Sequence, residues 1–192
     1  MGFKGVMRDR GFVVWFTGLP ASGKTTVARL VERELKRRGL RVEVLDGDEL
    51  RRKLDPEIGF SPEDRMIHIR RVAYVSHLLA RNGVAVLVCL VSPYIKAREA
   101  ARNIIGEDFI EVYVKCSLET CIKRDPKGLY KRALRGEIPD MTGIGDIYEE
   151  PPNPDVVVDT ENYSAEENAR RVISRLEELG YLDPTPPQSW SA

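Results

Sequence analysis

One segment constrains this chain more than any other: Gly18-Leu19-Pro20-Ala21-Ser22-Gly23-Lys24-Thr25, of the form GxxxxGK[ST]. The run before it, Phe12–Thr17 (FVVWFT), reads as a strand, and the run after it reads as a helix. In that setting successive backbone N–H groups and the helix N-terminus enclose the phosphates of a nucleotide. Lys24 reaches the β- and γ-phosphates, Thr25 ligates Mg²⁺, and the following Thr26 donates to the α-phosphate. The alternative is an accidental glycine turn, but all four fixed positions are filled and the strand–loop–helix context is right. Guanine-nucleotide switches share such a loop. Here no asparagine is followed by lysine, so the Asn-Lys-x-Asp guanine reader is absent and an ATP-dependent kinase is favoured.

The rest of the chain alternates in a way that suits this loop. Phe12–Thr17, Arg41–Leu45, Val84–Val91, Ile110–Val114 and Asp155–Asp159 are rich in β-branched residues. Two of them are continuously apolar, as strands covered on both faces should be. Helical patterns lie between them over Lys24–Arg38, from Ser61 to about Arg81, over Pro93–Ile105 and over Ser164–Leu179. The fold expected is three-layer α/β of the P-loop nucleoside triphosphate hydrolase-like type, with a central parallel sheet of about five strands. A length of 192 residues fits one domain, since domains run to about 100–200 residues. Its core is expected over residues 11–180, a lid over 125–154 and a loose tail over 183–192.

Composition narrows the partners. Lys plus Arg and Asp plus Glu both number 30, so no net charge points to nucleic acid or to an anionic membrane. The longest apolar run, Val84–Val91, is too short to span a bilayer. The three cysteines, Cys89, Cys116 and Cys121, lack a metal-ligand spacing and suggest reduced thiols in the cytoplasm. His68 and His77 are nine apart, wrong for a zinc pair on one helical face.

Strand two ends in Leu45-Asp46-Gly47-Asp48, and the carboxyl ends of parallel strands face the ligand crevice. Phosphoryl transfer to an alcohol needs a group that takes the hydroxyl proton and another that holds Mg²⁺. Asp48 is assigned to proton acceptance, Asp46 to the metal or to positioning the hydroxyl. The plainer reading is a turn whose Asp caps a helix around Glu49–Leu54.

With these residues in place, the chain resembles the adenylyl sulfate (APS) kinases, small P-loop kinases of sulfate assimilation. The likeness covers roughly residues 11 to 180. It rests on WFTGLPASGKTT, LDGDELR, GFSPEDR, IRR, VSPY, EVYV, RDPKGLYKRA, GEIPDMTGI and YEEPPNP. The resemblance implies ATP and Mg²⁺, adenylyl sulfate as acceptor, phosphorylation of its ribose 3′-hydroxyl, and a homodimer. It implies that Arg51 and Arg65 hold the phosphosulfate, that Phe60 stacks on the acceptor adenine and that Lys127 adds positive charge over the transferring group. It also implies that Arg124 lies against the ATP adenine. Without it, Arg65 and Arg71 read as a solvated helix face and Phe60 as a hydrophobic staple for the helix beginning at Ser61. Ser92 matches a serine regarded in that family as a phosphoserine intermediate. As part of Ser92-Pro93 at a strand end it reads instead as a helix N-cap followed by Pro at the first helical position, and direct transfer needs no enzyme nucleophile.

Two positions depart from the family pattern. His68 stands where asparagine is expected; its imidazole can still hydrogen-bond the acceptor, with a charge that varies near neutral pH. Met141 replaces an aromatic residue expected to close the other side of the acceptor adenine, offering a soft apolar cover in place of a flat ring. The rivals are another small-molecule kinase, of shikimate or gluconate type, and a non-catalytic nucleotide-binding module. GFSPEDR and KGLY argue against the first, the DGD acids against the second.

Overall fold

The computed structural model describes residues 11–184. The basic first ten residues and positions 185–192 of the expected tail lie outside it. Its elements run β1 (Phe12–Thr17), α1 (Lys24–Arg37), β2 (Arg41–Asp46), α2 (Gly47–Lys53), α3 (Pro62–Ala80), β3 (Val84–Cys89), α4 (Ile95–Ile105), a 3₁₀ turn at Gly106–Asp108, β4 (Phe109–Lys115), α5 (Leu118–Arg124), α6 (Leu129–Leu134), β5 (Val156–Asp159) and α7 (Ala165–Glu178).

The described strands form one sheet in the order β2-β3-β1-β4-β5, all neighbours parallel. All six residues of β1 are buried, and their alternation divides them between two cores. Phe12, Val14 and Phe16 pack with Val27, Val31 and Leu35 of α1 and with Val172, Ile173 and Leu176 of α7. Val13 and Trp15 pack on the opposite face with Ile69 and Val72 of α3 and Ala97 and Ala101 of α4. This is the three-layer α/β arrangement expected for strands apolar throughout. Each fully buried Val, Leu or Ile in these cores contributes about 1.5–3 kcal/mol relative to exposure. β5 stands at the edge and alternates, Val156 and Val158 inward, Val157 outward.

Helix ends follow side-chain chemistry. Ser61 caps α3 through the Asp64 amide at 3.1 Å, with Pro62 opening the helix. Ser164 and Glu167 form a capping box on α7. Among the described residues no helix is long and apolar enough to cross a membrane.

Two boundaries beside Ser92 differ from expectation. β3 stops at Cys89, although Leu90 and Val91 are apolar. The Leu90 amide still donates to Phe16 O at 3.2 Å, but the Val91 carbonyl is taken by the Thr17 hydroxyl at 2.8 Å and the chain leaves the sheet. Helix α4 starts at Ile95, not Pro93, and its cap residue is Tyr94. Ser92 is therefore not the N-cap. The Glu149 carboxylate accepts from the Ile95 amide at 2.7 Å and serves that end from the lid.

Candidate active site

The phosphate loop joins β1 to α1 at the centre of the sheet. After α1 the chain turns to β2 on one side of β1, and after β3 it crosses to β4 on the other, so the loop sits at the switch point where ligands bind. Gly18 is required there: with φ 152°, a Cβ would lie 2.5 Å from the Val114 carbonyl oxygen. Gly23 adopts φ 98° and begins α1 without any side-chain cap, leaving first-turn amides for an anion. Lys24 is 9% exposed; its ammonium donates to the carbonyls of Gly18 at 2.9 Å and Leu19 at 2.6 Å. Burial lowers its pKa to about 8. A buried cation leaning on its own loop is ready to exchange those carbonyls for phosphate oxygens.

The two DGD carboxylates are held differently. Asp46 accepts from the Asp48 amide at 3.0 Å and from the Glu49 amide at 3.4 Å, capping α2, and its Oδ2 accepts from the Thr25 hydroxyl at 3.3 Å. The cap expected on the plainer reading is therefore present, and the same side chain also reaches Thr25. Asp48 stands open and forms an ion pair with Lys127, brought from the turn before α6. That bond raises the Lys127 pKa.

On the acceptor side, α2, the loop after it and α3 surround Phe60, which is 56% exposed. The guanidinium of Arg51 lies over its ring at 4.4 Å from the centroid and that of Arg65 at 5.6 Å. Arg51 donates to the Gly59 carbonyl at 2.7 Å. Arg65 donates to the carbonyls of Phe60 at 2.9 Å and Asp140 at 2.7 Å, so it also ties α3 to the lid. Burial, and then the nearby Arg65, lower the Arg51 pKa. Phe60 is too open for a staple, and Arg65 is buried instead of solvated.

Other expected residues fall in unexpected surroundings. Met141 is 6% exposed, packed into a lid cluster with Cys116, Cys121, Tyr130 and Ala133. Its side chain belongs to the lid's interior cluster. Its carbonyl accepts from the amides of Ile144, Gly145 and Asp146, which shapes the MTGIGD turn. His68 is 3% exposed, bonded through Nδ1 to Asp55. Arg124 donates to both the hydroxyl and the carbonyl of Thr160, whose hydroxyl donates to Ser22 O at 2.6 Å, so it borders the phosphate loop through Thr160.

Ser92 is 3% exposed, at φ 41° in the left-handed region. Its hydroxyl accepts from the Trp15 indole N–H at 3.1 Å. Its carbonyl accepts from Arg98 at 2.7 Å. The buried indole requires that partner, so the serine side chain serves the core beneath the crevice.

The sequence assigns no individual role to Asp55, Thr160, Arg98, Asp146 and Tyr148. The last two help line a cavity of about 520 Å³ between Leu19, Tyr113 and the lid turn. Asp146 accepts from Tyr94 at 2.7 Å, and Tyr148 shares a hydrogen bond with Thr17 at 2.9 Å. None of these residues has a sequence spacing that would single it out.

Residues 10–159 match the family model described as adenylylsulphate kinase. An adenylyl-sulfate kinase of Halothermothrix orenii is 53% identical over 175 residues, covering 91% of this chain and 94% of its own. Another, from Picosynechococcus sp., is 50% identical over 178 residues, covering 93% and 100%. The Mycobacterium tuberculosis APS kinase, solved in complex with AMPPNP and APS, aligns with TM-score 0.85 at 46% identity, over 88% of this chain and 99% of that one. A gluconokinase from Sinorhizobium meliloti, at 19% identity and TM-score 0.62, shares the fold alone. The chain belongs to the adenylylsulphate kinase family.

Proposed function

We propose that this enzyme transfers the γ-phosphoryl group of ATP to the ribose 3′-hydroxyl of adenylyl sulfate, giving ADP and 3′-phosphoadenylyl sulfate. The observation that carries the reading is the crevice itself. A phosphate loop with a buried Lys24, an open carboxylate at Asp48 and two arginines around an exposed Phe60 follow the carboxyl ends of the strands.

Gly18–Thr26 bind the triphosphate, with Lys24 against the β- and γ-phosphates and Arg124 beside the adenine. Phe60 stacks on the acceptor adenine, and Arg51 and Arg65 grip its phosphosulfate as planar donors. Asp48 orients the 3′-hydroxyl and takes its proton as the oxygen attacks the γ-phosphorus in line. Lys127 exchanges its bond with Asp48 for charge on the transferring group.

Thr25 and Asp46 fit a magnesium ion: both offer hard oxygen ligands, 3.3 Å apart, beside the helix start. Magnesium held there would neutralise charge on the β- and γ-phosphates. Ser92 supports the crevice from below and forms no phosphoserine, because its hydroxyl is buried against Trp15.

We infer that the protein is a homodimer in the cytoplasm. Ile67 and Tyr74, 43% and 57% exposed and seven apart on α3, supply one apolar face for pairing. Sedimentation of the full chain as a monomer would remove the dimer from the proposal.

ADP release measured side by side with adenylyl sulfate, shikimate, gluconate and no acceptor tests the assignment. Stimulation by adenylyl sulfate alone is expected. Stimulation by a sugar acid in its place would overturn it.

A further inference from the structure

His68 and Asp55 form a buried pair that the reaction as described does not use. Asp55, 1% exposed, follows α2 and accepts from His68 Nδ1 and from Arg71. The opposite ring nitrogen, His68 Nε2, is buried and has no hydrogen-bond partner among the described residues. A buried polar atom left unpaired costs about 1–3 kcal/mol, so a partner supplied by a ligand is a gain on binding. His68 lies one turn beyond Arg65 on the same buried side of α3, and Arg51 of α2 is near enough to disfavour its protonation.

We propose that Asp55 is a positioning residue for the acceptor. It holds the imidazole by Nδ1–H and leaves Nε2 to bind a proton from solvent and donate it in a hydrogen bond to the acceptor's anionic group. This rests on the acceptor site proposed above.

The charges facing His68 explain why the proton arrives with the ligand. Burial, then Arg51 from α2 and Arg71 from its own helix, hold its pKa below the ordinary value, against the pull of Asp55. Arg71 is itself shared with Glu57 at 2.9 Å. An acceptor with two ionised groups, seated by Arg51 and Arg65, offsets those cations and favours imidazolium. The phosphosulfate stays ionised across the neutral range, so an uptake of protons on binding reports the protein.

The test is calorimetry of adenylyl sulfate binding to the AMPPNP-saturated full chain, in buffers of different ionisation enthalpy near neutral pH. Wild type is expected to take up a substantial fraction of a proton, Asp55→Asn less and His68→Asn none. Wild-type affinity should weaken as pH rises, by up to about tenfold per unit between the free and bound His68 pKa values. Equal proton counts in wild type and His68→Asn would overturn the proposal while leaving the acceptor site intact. No binding heat at all would overturn the acceptor site as well. Because Asp55→Asn can fail to fold, ¹⁵N resonances of His68 in the free wild-type protein provide the second test. The Nδ1–H tautomer is expected, and the Nε2–H tautomer refutes positioning by Asp55.

Discussion

Lys127 and Asp48, 79 residues apart in sequence, join the lid to the carboxyl edge of the sheet through one ion pair. Both side chains are mostly exposed, so the pair adds little to stability. Its importance is positional: the lysine sits on the carboxylate assigned to the acceptor hydroxyl. Asp48→Asn should lower kcat by roughly 10²–10⁴-fold while ATP binding, followed by equilibrium titration, stays near wild type. Lys127→Met should also lower kcat. The double variant should lose less than the product of the two, because the residues act as a unit. A wild-type rate for Asp48→Asn refutes its role.

Lys24 gives a pH signature. Its pKa, about 8 in the free protein, lies below the ordinary lysine value because the ammonium is buried. Triphosphate oxygens arriving beside it raise that value again. Affinity for ATP should therefore be flat below about pH 8 and fall above it, since binding then requires proton uptake. Titrations at pH 7, 8 and 9 check this. Lys24→Ala should abolish acceptor-stimulated ADP release, and a stimulated rate near wild type would refute the cradle assignment.

Much of this was legible in the sequence, for identifiable reasons. β1 and the body of β3 are continuously apolar, and they form the interior of the sheet. The loop at Gly18–Thr25 announces itself because its geometry tolerates few residues at its fixed positions. The end of β3 was not legible. Leu90 and Val91 look like more strand, and only the Thr17 hydroxyl on the Val91 carbonyl shows why the chain departs. Ser92-Pro93 has the composition of a helix start, but the left-handed backbone at Ser92 and the cap supplied by Glu149 depend on a lid more than fifty residues away. Met141 looked like an adenine cover because the lid's own core cannot be deduced from a line of residues. Asp55 carries no motif and is defined only by the helix that folds over it.

Variants at Phe60 and Arg65 are expected to separate acceptor recognition from chemistry. Base stacking on an aromatic ring is worth about 1–3 kcal/mol, so Phe60→Ala should raise KM for adenylyl sulfate by roughly tenfold or more with KM for ATP unchanged. Arg65→Lys keeps charge but loses the planar fork that reaches the Phe60 and Asp140 carbonyls together. It should raise the acceptor KM and also speed proteolysis within residues 135–150. Unchanged acceptor KM in both variants would sink the placement of the acceptor.

Arg98 and Glu111 form a buried ion pair at 2.9 Å between α4 and β4. Arg98 also donates to the carbonyls of Ser92 and Glu149, each at 2.7 Å. Arg98→Ala leaves the buried Glu111 carboxylate with only Arg102, at 3.8 Å, and frees the lid's last segment, at a cost of about 3–5 kcal/mol. A thermal midpoint lowered on the order of 10 °C is expected, and a shift of a degree or less would show that the pair is not what holds these three segments.

Ser92→Ala distinguishes structure from covalent chemistry. The hydroxyl accepts the Trp15 indole hydrogen, and its own proton faces only the Leu90 carbonyl at a long 3.5 Å. Among the described residues no base bonds to it, and its attack on a γ-phosphate would require abandoning the indole in the core. Alanine removes that acceptor and should destabilise the protein by about 1–3 kcal/mol, read as a lower thermal midpoint, while acceptor-stimulated turnover remains substantial at a temperature where the variant is folded. Ser92→Gly suits the positive φ better and should recover part of the lost stability without adding a hydroxyl. A folded Ser92→Ala protein with no turnover, together with ³²P retained on the wild-type enzyme after mixing with labelled ATP, is the result that would restore a phosphoserine to the mechanism.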